Sequence, residues 1–159
     1  FLLNSMKIIS KSETETKELA IKFLKKISFP LIIGFSGELG VGKTQFIRNM
    51  IQTFDKDERV KSPTFGIAEE YLFKEAKIVH ADLYRIKKNE RDYIDFNSYY
   101  EDNFLILIEW IENDSRLFSY SDILIDMRLC KNNIDRKILF SGKSTRGKKI
   151  LQEFQNTKI

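Results

Sequence analysis

Residues 37–44 read Gly-Glu-Leu-Gly-Val-Gly-Lys-Thr, which is a complete Gly-x-x-x-x-Gly-Lys-Thr sequence. An apolar run at 31–35 precedes it, and a helical pattern of apolar residues follows it to about Phe54. A strand, a glycine-rich turn and a helix in this order are typical of a phosphate-binding loop, in which backbone N–H groups face an anion. The stretch therefore predicts an α/β fold with a nucleotide site at its centre. The flanking strand and helix patterns argue against the alternative, an ordinary glycine-rich turn.

The side chains of the loop have separate chemical tasks. Lys43 supplies a positive charge to the β- and γ-phosphates, and the Thr44 hydroxyl is placed to hold Mg²⁺. The glycines allow the backbone to approach the phosphates closely. We therefore expect ATP or a related nucleotide to contact the following residues: Gly37, Glu38, Leu39, Gly40, Val41, Gly42, Lys43, Thr44 and Gln45.

Length and composition indicate one domain. The chain has 159 residues, of which 42% are hydrophobic, and this is enough for a single core. Two prolines and seven glycines leave no room for a long flexible linker. We predict one nucleotide-binding domain over residues 6–155. Because the chain begins with Phe1, we expect Met6 to be the natural start and residues 1–5 to come from upstream or added sequence.

Charge and cysteine content exclude few partners. The chain carries 27 basic and 23 acidic residues, a balance that does not diagnose nucleic-acid binding. We interpret the basic stretch at 143–149 as solvated surface, although a partner-facing patch fits it too. No apolar stretch approaches the length of a membrane span, and the start lacks a charged leader, so we expect a cytoplasmic protein without a membrane partner. The lone Cys130 predicts neither a disulfide nor a cysteine metal site, and we expect it in the core.

The remaining periodicities predict a mixed sheet. A capping-box signal at Ser12 and Glu15 starts a first helix, and the polar pair Asn132-Asn133 suggests a hairpin between two late strands. We expect a sheet that is parallel in its middle and antiparallel toward one side, with helices on both faces. The predicted strands are 6–9, 31–36, 67–73, 77–82, 104–109, 122–130 and 134–141, and the later helices are 43–54 and 145–154.

Two acidic residues end two of the predicted strands. Asp82 follows the run Ile-Val-His-Ala at 78–81, and Glu109 follows Leu-Ile-Leu-Ile at 105–108. Ligands of open α/β sheets gather at the carboxyl ends of the strands, so both carboxylates can converge on the phosphate loop. There they would hold Mg²⁺ or orient the attacking water. The alternative is that each acid is a solubilising residue or a helix cap.

Three further residues near the predicted site have open roles. Thr64, in Ser-Pro-Thr-Phe at 62–65, lies where switch segments of nucleotide hydrolases occur, but a turn fixed by the proline explains it equally. His80 is the single histidine, and we interpret it as a hydrogen-bonded structural residue rather than a base. Trp110 either stacks near a nucleotide or packs.

Four blocks taken in order resemble the TsaE family, also called YjeE. They are the phosphate loop at 37–44, Ser-Pro-Thr-Phe at 62–65, His-Ala-Asp-Leu-Tyr-Arg at 80–85 and Ile-Glu-Trp at 108–110. The resemblance covers nearly all of residues 6–155. It implies a small phosphate-loop ATPase required for threonylcarbamoyladenosine in tRNA, working with TsaD and TsaB, which carry out the transfer. Contact with tRNA would be indirect, and direct contact stays open.

The resemblance also implies residue roles. Lys43 and Thr44 would bind ATP and Mg²⁺, Asp82 would join the metal shell, and Glu109 would support hydrolysis by ordering water or metal. Thr64 would belong to the switch-like segment, and Trp110 would lie beside the nucleotide. The chain departs slightly from the family pattern at two loop positions: Val41 stands where a smaller residue is common, and Gln45 where a second hydroxyl residue is frequent.

Proteins with other functions would carry the same phosphate loop. A small-molecule kinase would need an arginine-bearing lid, and Arg85 and Arg91 are the only arginines of the central segment. A GTPase would carry Asn-Lys-x-Asp, which is absent. A nucleotide-gated binding module, in which hydrolysis is incidental, stays open.

Overall fold

Seven strands and five helices build the described part of the chain, which in this computed structural model comprises residues 4–63, 68–85, 87 and 94–157. The strands are β1 Ser5–Ser10, β2 Leu31–Ser36, β3 Ala68–Leu72, β4 Lys77–Asp82, β5 Leu105–Glu109, β6 Ile123–Leu129 and β7 Arg136–Gly142. The helices are α1 Glu13–Leu24, α2 Lys43–Ile51, α3 Phe96–Glu101, α4 Ser115–Tyr120 and α5 Thr145–Gln155, with a 3₁₀ turn at Ile111–Asn113.

The strands form one sheet in the order β1-β7-β6-β2-β5-β4-β3. The pairs β6–β2, β2–β5 and β5–β4 are parallel, which confirms the predicted parallel centre. The antiparallel pairs β6–β7 and β7–β1 lie toward one side, as expected, and a further antiparallel pair that the sequence did not predict, β3–β4, lies at the other edge. Strands β3 and β4 are antiparallel because the connection between them is short: the N–H of Phe73 donates to the carbonyl of Ala76 at 2.8 Å. Such a short turn can only return β4 alongside β3 in the opposite direction.

Helices cover both faces of the sheet, as predicted. On one face α1, α2 and α5 pack on alternate strand residues such as Leu105 and Leu107. On the other face α3, the 3₁₀ turn and α4 pack on Ile106 and Ile108. All five residues of β5 are buried, because a central parallel strand is covered on both sides. The alternation places Glu109, the next odd-numbered residue, on the α2 face.

The start of α1 follows the predicted capping signal. The Ser12 hydroxyl accepts a hydrogen bond from the N–H of Glu15 at 3.1 Å, and the Glu15 carboxylate accepts one from the N–H of Lys11 at 2.6 Å. These bonds satisfy donors that an isolated helix end leaves open. The capping box therefore engages Lys11, the residue before the N-cap, rather than Ser12 itself.

The structure corrects two further predictions. Helix α2 ends at Ile51 instead of Phe54, and the chain then turns, with the N–H of Phe54 donating to the Ile51 carbonyl at 3.0 Å. Cys130 is only half-buried, because it follows the end of β6 and begins the turn to β7. In that turn its carbonyl accepts from the N–H of Asn133, which has a positive φ. The polar pair thus forms the predicted hairpin.

No helix in the described part of the chain has both the length and the apolarity that crossing a membrane requires.

Candidate phosphate-loop site

The predicted phosphate loop joins β2 to α2 at the carboxyl end of the sheet. Gly37, Gly40 and Gly42 all have positive φ angles, of 134°, 79° and 111°. At Gly37 space is a second constraint, since a Cβ atom there would collide with the carbonyl oxygen of Met127 on β6. Any other residue type would have to open the contact between the loop and β6. The glycines therefore give the loop its path, as the sequence predicted.

Lys43 begins α2 and folds back into the loop. Its side-chain ammonium donates to the carbonyl oxygens of Gly37 at 2.5 Å and Glu38 at 3.0 Å. It also lies 4.2 Å from the centroid of the Trp110 ring, a cation–π distance. Lys43 is buried, with 5% of its surface exposed, and this desolvation lowers its pKa, while the negative charges of Glu109 and Glu112 oppose the shift. A partly desolvated charge interacts more strongly with an incoming anion than a solvated one does.

Thr44 and Glu109 are in direct contact. The Thr44 hydroxyl donates to Oε1 of Glu109 at 2.7 Å. Because its hydrogen points to the carboxylate, the Thr44 oxygen keeps lone pairs for a cation. Nε2 of His80 lies 3.0 Å from the same Glu109 oxygen, and both His80 and Glu109 are buried. Of the two predicted acids, Glu109 is thus the one that contacts a phosphate-loop side chain.

Asp82 lies on β4, opposite Glu109 of β5 in the parallel register. Its carboxylate accepts hydrogen bonds from the Ser62 hydroxyl and, at 2.9 Å, from the N–H of Tyr84. Asp82 therefore fixes the start of the Ser-Pro-Thr-Phe segment against the sheet edge. Thr64, predicted as part of that segment, lies outside the described residues.

Trp110 follows β5 in a left-handed backbone conformation, with φ 55° and ψ 42°. This turn brings its ring over Lys43 and next to Tyr84, whose ring centroid lies 4.7 Å away. Trp110 also packs against the buried side chains on the face of the sheet covered by α3 and α4, which include Ile108 and Ile111. The indole packs, as one interpretation of the sequence had it, and it lies at the lysine of the phosphate loop. Stacking of Trp110 near a nucleotide stays a prediction.

The other predicted loop residues differ in exposure. Glu38 and Gly40 are exposed, and the Leu39 side chain at the loop tip is 75% exposed. Val41 is turned into the core, which is where its larger side chain is accommodated. The Gln45 side chain does not face the loop, because it bonds to Asn49 at 3.1 Å and to Arg48 on the surface of α2. Only the backbone of Gln45 lies at the helix N-terminus.

Sequence reasoning missed a basic residue at the loop. Nε of Arg136, the first residue of β7, donates to the Val41 carbonyl at 2.9 Å. It also missed Asp126 on β6, which accepts from Ser36 at 2.7 Å and from Arg128 at 2.8 Å. No spacing rule marks these residues, since only the strand order β7-β6-β2 brings them to the loop. Asp126 and Arg128 line a cavity of about 710 Å³ beside the start of the loop, together with Trp110.

The donor set suits a nucleotide with Mg²⁺. Within the described ranges, no three His, Cys, Asp or Glu side chains form a group that would hold a metal alone. Mg²⁺ in nucleotide sites takes one or two protein oxygens and completes its shell with phosphate and water oxygens. Thr44, Glu109 and the neighbouring Asp82 offer that partial set next to Lys43 and the loop N–H groups.

Sequence comparison gives a consistent family result. The family model described as threonylcarbamoyl adenosine biosynthesis protein TsaE matches residues 10–139. The chain is 37% identical over 124 residues to the tRNA threonylcarbamoyladenosine biosynthesis protein TsaE of Rickettsia typhi, covering 77% of this chain and 85% of the relative. It is 32% identical over 127 residues to the protein of the same name in Haemophilus influenzae, covering 79% of each chain.

A solved structure shares the fold. The crystal structure of Bacillus subtilis YdiB superposes with a TM-score of 0.74 at 20% identity, covering 98% of this chain and 97% of the other. At that identity the likeness concerns the fold, and it supports the seven-stranded arrangement described above.

Proposed function

Because the chain belongs to the TsaE family of threonylcarbamoyl adenosine biosynthesis proteins, we propose that it is a Mg²⁺-dependent ATPase. ATP hydrolysis by this chain supports the threonylcarbamoyladenosine modification of tRNA in the cytoplasm. The observation that carries the proposal is the contact between Thr44 of the phosphate loop and Glu109 at the end of the neighbouring strand. An ATPase needs this pairing of a loop hydroxyl with a strand-end carboxylate.

The loop residues bind the nucleotide. Backbone N–H groups of 37–45 surround the phosphates, and Lys43 adds the side-chain charge. To reach a phosphate, the Lys43 ammonium has to exchange at least one of its present partners, since two carbonyls and the Trp110 ring surround it. Mg²⁺, when bound, neutralises charge on the phosphates and on the leaving oxygen. Thr44 and the acids at the sheet edge are the residues that would hold it.

Glu109 is the residue placed for the chemical step. It is buried at the floor of the site, so its carboxylate keeps a fixed position relative to the loop. From there it orders the attacking water or a water of the metal shell. Asp82 contributes a second carboxylate one strand further out and holds Ser62 in place. Thr64 is proposed to place its hydroxyl near the γ-phosphate.

The proposed partners are TsaD and TsaB. The names of the relatives place them in tRNA threonylcarbamoyladenosine biosynthesis, and this supports a role for the chain in the same process. By the family resemblance we assign the threonylcarbamoyl transfer to TsaD and TsaB, and we propose that contact of tRNA with this chain is indirect.

A nucleotide-gated binding module is the second candidate. The exposed Leu39 at the loop tip favours it, because an apolar side chain beside the phosphates is available to a docking protein. In this candidate ATP binding alone controls docking, and turnover is incidental.

Glu109→Ala separates the two candidates. We expect substantial ATP binding to remain, because the loop is intact, and turnover to fall by a factor on the order of 10²–10³. The variant should still dock on a TsaD–TsaB assembly with ATP but fail to sustain many cycles of tRNA modification. Calorimetry, phosphate release and a reconstituted modification assay measure these quantities. Glu153→Ala, an exposed position of α5, is the control.

Three outcomes decide against the ATPase. Full multi-cycle modification by a hydrolysis-dead Glu109→Ala protein would favour the binding module. Equal use of GTP, or phosphate transfer to a small acceptor instead of water, would favour a different phosphate-loop enzyme.

A further inference from the structure

His80 is a buried histidine that the proposed reaction does not use directly. It lies in the middle of β4, opposite Leu107 of β5, and none of its surface is exposed. Its Nε2 lies 3.0 Å from Oε1 of Glu109. Because a carboxylate only accepts hydrogen bonds, Nε2 is the nitrogen that carries the proton. Nδ1 has no hydrogen-bond partner in the described part of the chain.

Two donors therefore meet on one oxygen of Glu109. Thr44 donates to Oε1 at 2.7 Å from the loop side, and His80 donates to the same atom from the sheet side. The terminal torsion of a glutamate is soft, so one hydrogen bond leaves the carboxylate free to rotate. A second donor that reaches the same oxygen from another direction fixes the plane of the Glu109 carboxylate. Oε2 then becomes the oxygen that is available to water or a cation.

The unpartnered Nδ1 indicates that His80 does more than fill space in the core. A polar nitrogen buried without a partner destabilises the folded state, and an apolar side chain of similar size would remove that cost. Ile78 and Leu107, the neighbouring strand residues on the same face of the sheet, are apolar. What His80 adds over an apolar residue is the Nε2 donor on Glu109.

We propose that His80 is a positioning residue that fixes the Glu109 carboxylate, so that Oε1 holds Thr44 and Oε2 faces the reacting water and metal. The inference deepens the proposed function and rests on it for its kinetic consequences. His80 touches neither nucleotide nor water in this role, and it acts only through Glu109. Its donor atom, rather than its size or aromaticity, is the property that matters.

Three substitutions at His80 separate the donor from the shape of the side chain. A glutamine can place its Nε2 donor where the imidazole Nε2 lies, an asparagine reaches only the Nδ1 position, and a leucine keeps volume without a donor. We expect His80→Gln to keep kcat within a few-fold of wild type. His80→Asn and His80→Leu should lower kcat and weaken Mg²⁺ affinity about 10- to 100-fold, the range for lost support of a metal site. KM for ATP should change little, since the loop is unaltered.

A spectroscopic measurement tests the bond without any substitution. His80 is the single histidine of the chain, so its ring nitrogens give uniquely assigned signals in long-range ¹H–¹⁵N NMR spectra. We expect the Nε2–H tautomer in wild type and a shift of the Nε2 signal in Glu109→Gln. Circular dichroism and thermal unfolding report whether each variant folds.

Several results would overturn the proposal. An Nδ1–H tautomer in wild type would exclude the bond, and equal kinetics for the folded Gln and Leu variants would exclude the positioning role. Should wild type bind Mg²⁺ and ATP but not hydrolyse it, the proposed function fails separately. In that case the tautomer and the Mg²⁺ affinity of the His80 variants, measured by calorimetry in the presence of ATP, still decide whether His80 positions Glu109.

Discussion

At the scale of single residues, substitution of Asp82 tests whether this acid serves the proposed metal site or holds the segment at Ser62. It bonds Ser62 and the N–H of Tyr84 and lies opposite Glu109 in the sheet. We expect Asp82→Ala to lose Mg²⁺-dependent turnover, because a carboxylate beside the metal position no longer offsets the ion's charge. Phosphate release measured against Mg²⁺ concentration tests this.

Ser62→Ala is the matched control for Asp82. It removes the hydroxyl that Asp82 holds and keeps the carboxylate. If both variants lose activity with unchanged Mg²⁺ dependence, Asp82 acts by holding the segment and not through the metal. A wild-type rate in Asp82→Ala would make the residue merely structural.

Some residues of the site were predictable because their chemistry is local in sequence. The phosphate-loop motif identifies Lys43 and Thr44 as candidates, and Asp82 and Glu109 are candidates because each ends a predicted strand. The partners of these residues were not predictable, because they come from other strands. Arg136 lies 95 residues after Val41, whose carbonyl it contacts, and no local sequence pattern predicts that contact.

At the scale of elements, α5 is held to the sheet by a close approach at Gly147. Its N–H donates to the Ser144 hydroxyl at 3.0 Å, and a Cβ there would collide with the carbonyl of Asp122. Alanine favours a helix by up to about 1 kcal/mol over glycine, yet displacement of the backbone costs more. We expect Gly147→Ala to lower the free energy of unfolding by about 1–3 kcal/mol in chemical denaturation.

An exposed position of the same helix provides the comparison for Gly147. Lys149→Ala should change stability by no more than about 0.5 kcal/mol, because Lys149 is a surface residue. If Gly147→Ala proved as stable as wild type, the approach of α5 to Asp122 would be looser than described.

The contact between α3 and the edge strand β3 predicts a dependence on alkaline pH. The Tyr99 hydroxyl donates to Glu70 at 2.6 Å, and burial together with this bond raises its pKa from 10.0 to about 12. The neutral phenol is the form that is favoured by folding, so its contribution is complete below pH 10 and is lost as the pH rises toward 12.

Tyr99→Phe isolates that contribution. The phenylalanine ring keeps the contact with Phe104, whose centroid lies 4.9 Å away, but has no hydroxyl. We expect the stability difference between wild type and variant to be constant below pH 10 and to shrink between pH 10 and about 12. Unfolding by urea over this range measures it, and a difference that does not vary with pH would contradict the raised pKa.

Comparison of the strands with the short helices shows which sequence patterns predict secondary structure. Strands β2 and β4 match their predicted ranges, since each is an apolar run bounded by polar residues. The short helices α3 and α4 were missed, because six residues give less than two turns of periodicity. Both begin at an aspartate N-cap, Asp95 and Asp114, and that local signal was the one available.

At the scale of the whole molecule, the proposed nucleotide site predicts a link between ligand binding and global stability. A ligand that binds only the folded chain raises the free energy of unfolding, by about 2.7 kcal/mol at a concentration of 100 Kd. We therefore expect Mg²⁺ with ATP to raise the melting temperature of wild type. Lys43→Ala should show little of this increase, because the loop loses its side-chain charge. Thermal unfolding and calorimetry measure the two effects.

Lys43→Ala is informative only if it folds, and its melting temperature without nucleotide establishes that. Glu153→Ala, which lies far from the loop along the chain, should show the full increase with nucleotide. Unchanged ATP affinity in a folded Lys43→Ala protein would contradict the assignment of the site.

The ring of Trp110, set between Tyr84 and the Lys43 ammonium, makes the chain its own optical sensor. Since it is the single tryptophan, excitation at the red edge of protein absorbance yields emission from this one indole. If a nucleotide phosphate draws Lys43 away from the ring, as the proposed function requires, we expect that emission to change. Stopped-flow fluorescence of the unlabelled protein would then time nucleotide binding and release without any attached dye.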